Sequence, residues 1–191
     1  APALITGGQA DSLFPLAQTN ANAQQILAAN PQTPVAVIWH GMGHDGGTNE
    51  RERLDLAITQ WFTQYLFKQE NESPLPAFDV SIPGGSVSTQ NARPQSVNAT
   101  TNFYPGLFGS SQQKIVMAGP EQTIIAPAGG PPATITSVPG LGGALAGLAG
   151  SFATTSFPGQ SAFFQSAPLE QALTVVGSSQ ISIAISSDRQ V

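Results

Sequence analysis

The rhythm of hydrophobic positions changes once along this chain, near residue 70. Before that point, short apolar runs alternate with stretches of helical spacing. Residues 3–6 and 35–39 (Val-Ala-Val-Ile-Trp) read as strands, the second buried on both faces as in a parallel sheet covered by helices. Residues 15–29 read as a helix. Pro15 suits a first helical turn, Leu16, Ile26 and Leu27 are its apolar positions, and Pro31 and Pro34 stop it. A second helix is predicted over residues 49–68. Leu54, Ala57, Ile58, Trp61, Phe62, Tyr65 and Leu66 share one face there, and Asn49 with Glu52 fits a capping box. Asp55 and the Glu residues lie near its start and Lys68 at its end, matching the helix dipole. Strand, helix, strand, helix with short links is the α/β pattern.

Pro74 and Pro76 mark a boundary, and no helical periodicity persists beyond them. Short apolar runs at 78–82, 114–118, 122–126, 134–138, 161–165, 173–176 and 181–186 are separated by turn residues, the spacing of an all-β sandwich. Ile181, Ile183 and Ile185 alternate with Ser182, Ala184 and Ser186, which makes one face apolar. The Gly-, Ala- and Leu-rich stretch 138–150 is read as a loop on this β part. Two units are therefore expected: residues 1–72, the C-terminal portion of an α/β domain entered part-way along a strand, and residues 73–191, an incomplete β-sandwich.

Composition narrows the function. Charged residues are 9% of the chain, and the net charge is −5 with only six Lys and Arg. No basic patch forms, so nucleic acid is not the expected partner. No apolar run reaches the roughly 18 residues that span a bilayer. The first residues lack the basic start and long apolar core of a signal peptide. A polar but poorly charged surface fits an extracytoplasmic or secreted protein, with the cytoplasm left open. There is no Cys, hence no disulfide or thiolate metal site.

The candidate chemistry sits on two Gly-rich segments, each just past a predicted strand. The first, Gly7-Gly8-Gln9-Ala10-Asp11, carries a carboxylate. The second, Trp39-His40-Gly41-Met42-Gly43-His44-Asp45-Gly46-Gly47, carries the only two His of the chain. Glycines permit sharp turns and close approach, which a catalytic His loop needs. An imidazole with its pKa near neutrality suits general-base work. His44 is the expected base, and His40, at the strand end, is read as a partly buried side chain bonded to backbone. A metal site of His40, His44 and Asp45 is the weaker reading, because the intervening Gly and Met disfavour the helix such spacing needs. Asp11 is the expected acid, with a helix N-cap as its ordinary alternative and Ser12 as another cap. Asp45 adjoins His44, so its side chain should diverge from the ring.

Asp on one post-strand loop followed by His on the next matches the order Ser, Asp, His of the α/β-hydrolase triad. No Gly-x-Ser-x-Gly occurs in the chain, and Ser161 lies after the His in a β region. The nucleophile is therefore expected upstream of Ala1.

Three segments carry a more specific resemblance: Ile-Thr-Gly-Gly-Gln-Ala-Asp-Ser-Leu-Phe-Pro-Leu, Val-Ile-Trp-His-Gly-Met-Gly-His-Asp-Gly-Gly, and Ala-Ile-Thr-Gln-Trp-Phe-Thr-Gln-Tyr-Leu. They resemble the end of the catalytic domain in X-prolyl dipeptidyl peptidases and cocaine-esterase-like hydrolases, over residues 1 to about 70. Residues 150–191 resemble part of the β-jelly-roll domain that follows it. The resemblance implies a serine hydrolase in which Asp11 and His44 are catalytic, the Ser lies in the upstream part of the same protein, and the substrate is a small ester or peptide. It implies no cofactor and no metal, and leaves oligomeric state open. The alternative is a β-sandwich binding or structural module without catalysis.

Overall fold

The computed structural model describes residues 1–69, 73–83, 96–109, 111–125 and 159–187. β1 (Ala3–Gly8) leads through α1 (Leu16–Ala29) to β2 (Val35–His40). A small hairpin follows, made of β3 (Met42–Gly43) and β4 (Gly46–Gly47). Next come α2 (Arg51–Tyr65), β5 (Phe78–Pro83) and β6 (Ser96–Thr101). The main sheet has the order β1-β2-β5-β6. β1 and β5 run parallel to β2 on either side, and β6 is antiparallel to β5. Parallel neighbours require a crossover between them, which α1 supplies for β1 and β2. The class is thus α/β with a mixed sheet.

The core lies around β2, whose four middle residues are all buried, as a central parallel strand requires. Trp39 is 1% exposed and meets Phe78 edge-on at 4.8 Å between ring centroids. Tyr104 packs edge-on against both rings, and Val37, Val80 and Ala23 complete the cluster. Such T-shaped pairs add to the burial of the rings themselves. Val176, from residues 159–187, packs against the same core.

Several elements differ in detail from expectation. α1 begins one residue late, with Pro15 as its N-cap residue, and its buried positions are Thr19 and Ala23. Leu16, Ile26 and Leu27 are only partly covered. A Cβ on Gly7 would come within 2.5 Å of Thr19 Oγ1 and 2.9 Å of Leu16 Cδ2, so α1 crosses β1 closely at that glycine. α2 is shorter than 49–68, and the Asn49–Glu52 capping box does not form. Asn49 Oδ1 accepts from the Arg51 N–H at 3.1 Å, and the N-cap residue is Glu50, whose carboxylate is engaged elsewhere. On the expected apolar face of α2 only Ala57 and Trp61 are buried, while Phe62 is 50% exposed.

The run 78–82 does form a strand, but it is laid beside β2 rather than in a separate sheet. Its partner β6 carries little apolar alternation in Ser-Val-Asn-Ala-Thr-Thr, and the sequence pattern predicts no strand there. Among the described residues, the later runs form a single antiparallel bridge, Ala118 with Gln165. Beside it the Gln122 side chain acts as a stand-in for backbone. Its amide donates to the Phe163 carbonyl at 2.7 Å and its oxygen accepts from the Phe163 N–H at 3.0 Å. Ile181, Ile183 and Ile185 are exposed. Residues 134–138 and 138–150 lie outside the described residues. No helix of the described residues is long and apolar enough to cross a membrane.

Tyr104 offers a check on this packing. Its hydroxyl donates to Asn20 Oδ1 at 3.0 Å, and burial pushes the phenol up to about 12. A raised folded-state pKa contributes stability below the unfolded value, near pH 10, and loses it as pH rises toward the folded one. Stability against urea is therefore expected to fall between about pH 10 and 12. Tyr104→Phe should flatten that decline. An equal decline in both proteins would contradict the assigned burial.

Candidate active site

Both Gly-rich loops leave the carboxyl ends of adjacent parallel strands, the edge where open α/β sheets place their ligands. Past the strand ends, the two chains stay bonded. The Gln9 N–H donates to the His40 carbonyl at 2.8 Å, and the Asp45 N–H to the Ala10 carbonyl at 3.0 Å. Glycine makes this contact feasible. A Cβ on Gly43 would lie 1.8 Å from the Ala10 oxygen, and one on Gly8 would lie 2.3 Å from the Met42 oxygen. Backbone meets backbone at both places, so no side chain can give way.

His44 and Asp45 form the tip of the β3–β4 hairpin. Gly43 pairs with Gly46 below them, and Gly46 and Gly47 take φ of +106° and +94°, which favour glycine. At this tip the imidazole reaches across to the other loop. His44 Nδ1 lies 2.8 Å from Asp11 Oδ2. A carboxylate only accepts, so the proton of neutral His44 is on Nδ1 and the Nε2 lone pair is left available. The His44 side chain is 50% exposed, whereas that of Asp11 is 12% exposed. The Phe14 ring stands beside the imidazole, 5.8 Å between centroids.

Asp11 faces His44 with one oxygen and the turn ahead of α1 with the other. Oδ2 faces His44, while Oδ1 accepts from the Leu13 and Phe14 N–H groups at 3.0 and 2.9 Å. It caps a turn ahead of α1, not the helix itself. The Phe14 N–H first, and the His44 hydrogen bond after it, hold the carboxyl below its ordinary value against the opposing effect of burial. Asp11 is therefore ionised at neutral pH.

Asp45 does diverge from His44. Its Oδ2 accepts the Ser12 N–H at 2.8 Å, so each loop bonds an acidic side chain to the other. His40 departs from expectation, since its Nδ1 is buried with no hydrogen-bond partner instead of being bonded to backbone. Burial first, then the Arg53 charge, pushes its pKa down against Glu50 and Asp11. His40, His44 and Asp45 do not gather as metal ligands, and no such group of three occurs among the described residues.

One cluster beneath the hairpin was not read from the sequence. Arg53 donates from Nε and Nη2 to Glu50 Oε2 at 3.0 and 2.6 Å, and from Nη1 to Asp79 Oδ2 at 2.6 Å. Nη2 also reaches the Ser81 hydroxyl, which donates to Glu50 Oε2 at 2.5 Å. Glu50 Oε1 accepts the Gly41 N–H at 2.9 Å, and the Gln9 side-chain amide donates to the Ser81 carbonyl at 2.7 Å. Burial pushes the Glu50 carboxyl up, but the Ser81 hydroxyl, Arg53 and the Gly41 N–H together bring it below the ordinary value. For Asp79 burial prevails over Arg53 and the pKa rises. The available signal was the alternation Phe78-Asp79-Val80-Ser81, which puts two polar side chains on one face of a strand whose other face is core.

A cleft of about 430 Å³, lined by Val35, Trp61, Tyr65, Pro74, Pro76 and Thr100 among others, opens at the amino end of β2. That is the opposite end of the strand from His44, so the cleft and the His-Asp pair are separate features.

Comparison with protein-family models, with curated proteins and with solved structures finds no match.

Proposed function

We propose that this chain supplies the acid and the base of a serine hydrolase acting on ester or amide bonds. The observation that carries the reading is the 2.8 Å contact of His44 Nδ1 with Asp11 Oδ2 between two post-strand loops. In this reading residues 1–72 are the C-terminal part of an α/β-hydrolase domain of the X-prolyl peptidase and cocaine-esterase type. β5 and β6 extend the same sheet, and the residues after them belong to its jelly-roll-like companion. The nucleophilic Ser comes from residues upstream of Ala1, as the Ser, Asp, His order of that class requires.

The chemistry follows from the pair. The Ser oxygen attacks the carbonyl carbon while His44 Nε2 takes the hydroxyl proton. Asp11 keeps the ring in the Nδ1–H tautomer and stabilises the imidazolium. Collapse of the tetrahedral intermediate breaks the bond to the leaving group, which takes the proton back from Nε2. Water then repeats the sequence on the acyl-enzyme and frees the Ser.

The test is fluorophosphonate labelling of the complete protein. The label is expected on one Ser upstream of Ala1, and the labelling rate is expected to collapse in His44→Ala. Labelling that proceeds equally fast in His44→Ala would reject the reading.

A further inference from the structure

We propose that Glu50 is a positioning residue for His44, a role that rests on His44 being the base. The β3–β4 hairpin has two residues per strand, too few to hold its own shape in water. Its tip must nevertheless keep an imidazole in hydrogen-bond register with a carboxylate on another loop. The hairpin is closed at its foot by the Thr48 N–H to the Gly41 carbonyl, 3.1 Å, and by the Gly41 N–H to Glu50 Oε1, 2.9 Å. The second bond does not end on another loop. Glu50 Oε2 is gripped by two nitrogens of Arg53 and by the buried Ser81 hydroxyl. Arg53 stands on α2 and Ser81 on β5, both outside the two loops that carry the pair.

The same β5 residue also restrains the Asp11 side. The Ser81 carbonyl accepts from the Gln9 side chain, two residues before Asp11. The acid loop and the base loop are thus referred to one point on the sheet, and Glu50 is the link on the base side. The Glu50 side chain is 7% exposed, which shields these bonds from competing water. Glu50 does not touch His44, so it acts through the loop.

The readout is the ring tautomer of His44. Free neutral imidazole favours the Nε2–H form, so an Nδ1–H form reports that Asp11 is holding the ring. Ring ¹⁵N shifts of the full chain, labelled at His, distinguish an N–H nitrogen from one with a lone pair. With two His in the sequence, the His44 signals are those lost in His44→Ala. The expected result is Nδ1–H in the unaltered chain and a mixture dominated by Nε2–H in Glu50→Ala. In the complete protein, Glu50→Ala should lower kcat about 100-fold with KM nearly unchanged, the scale of an ångström-sized misplacement of a catalytic group.

Retention of the Nδ1–H tautomer in a folded Glu50→Ala chain overturns the proposal. If Glu50→Ala does not fold, Arg53→Lys decides. It keeps the charge but loses the two-nitrogen grip on Oε2, and should shift the tautomer partly in the same direction. No shift in a folded Arg53→Lys chain also overturns it. Normal turnover in His44→Ala would instead reject the serine-hydrolase reading, and the tautomer measurement would still report whether Glu50 sets the ring.

Discussion

On the proposed hydrolase reading, turnover of an ester or amide substrate is expected to fall about 10⁴-fold in Asp11→Asn, with the fold intact. The two carboxylate oxygens of Asp11 have separate jobs, and this substitution separates them. Asn retains Oδ1, which can still accept the Leu13 and Phe14 N–H groups, so the turn before α1 survives. What replaces Oδ2 is an NH₂ group, a donor facing His44 Nδ1. The ring must then present a lone pair at Nδ1 and carry its proton on Nε2, the wrong atom for a base. Asp11→Ala removes both functions, so it should add a loss of stability to the loss of rate. Comparing kcat and the urea midpoint of the two variants separates the roles. Comparable kcat in Asp11→Asn and the unaltered protein would remove Asp11 from the mechanism.

The second large effect is structural. Gly43→Ala is expected to destabilise the protein by about 3 kcal/mol, the upper end of overpacking costs, and to abolish turnover. Its Cβ would sit 1.8 Å from the Ala10 carbonyl oxygen, well inside any tolerable contact. The obstacle is backbone, so one loop must move as a whole, and His44 moves with it. Gly46→Ala is the useful comparison. A Cβ there meets nothing within 4 Å, but the φ of +106° strains any side chain. Its cost should be one of backbone strain, roughly 1–2 kcal/mol, without direct collision. Chemical denaturation of both variants tests the difference. Equal stability of Gly43→Ala and the unaltered protein would contradict the close approach of the loops.

The parts of the fold that were legible in the sequence are those set by local pattern. Val-Ala-Val-Ile-Trp has no polar position, which announces a strand covered on both faces, and it became the centre of the sheet. The helix ending in Ala29 was bounded by prolines that admit no other reading. The Asp-His pair was legible for a related reason: a glycine-rich segment after a strand has few purposes other than bringing a side chain close to something. What could not be read depends on partners distant in sequence. In the sequence Glu50 and Arg53 are charged residues near the start of a helical pattern, and Asp79 is one acid inside the apolar run 78–82. Only the sheet brings Ser81 within reach of Glu50, 31 residues away. The isoleucine alternation at 181–185 specifies a face, but nothing in it names a neighbouring strand.

The span between Asp11 and His44 has a kinetic consequence. The two are 33 residues apart, joined by one strand–helix–strand unit, whereas Gln9 reaches Ser81 across 72 residues and Tyr104 reaches Asn20 across 84. Closing the longer loops costs only about 0.6 kcal/mol more for each doubling of length, but those contacts reward the chain only after the shorter unit has collapsed. The Asp11–His44 pair is therefore expected to meet early in folding, and the Gln9–Ser81 and Tyr104–Asn20 contacts to close later. The geometry of the candidate pair is drafted by one short unit and pinned by contacts between distant parts of the chain.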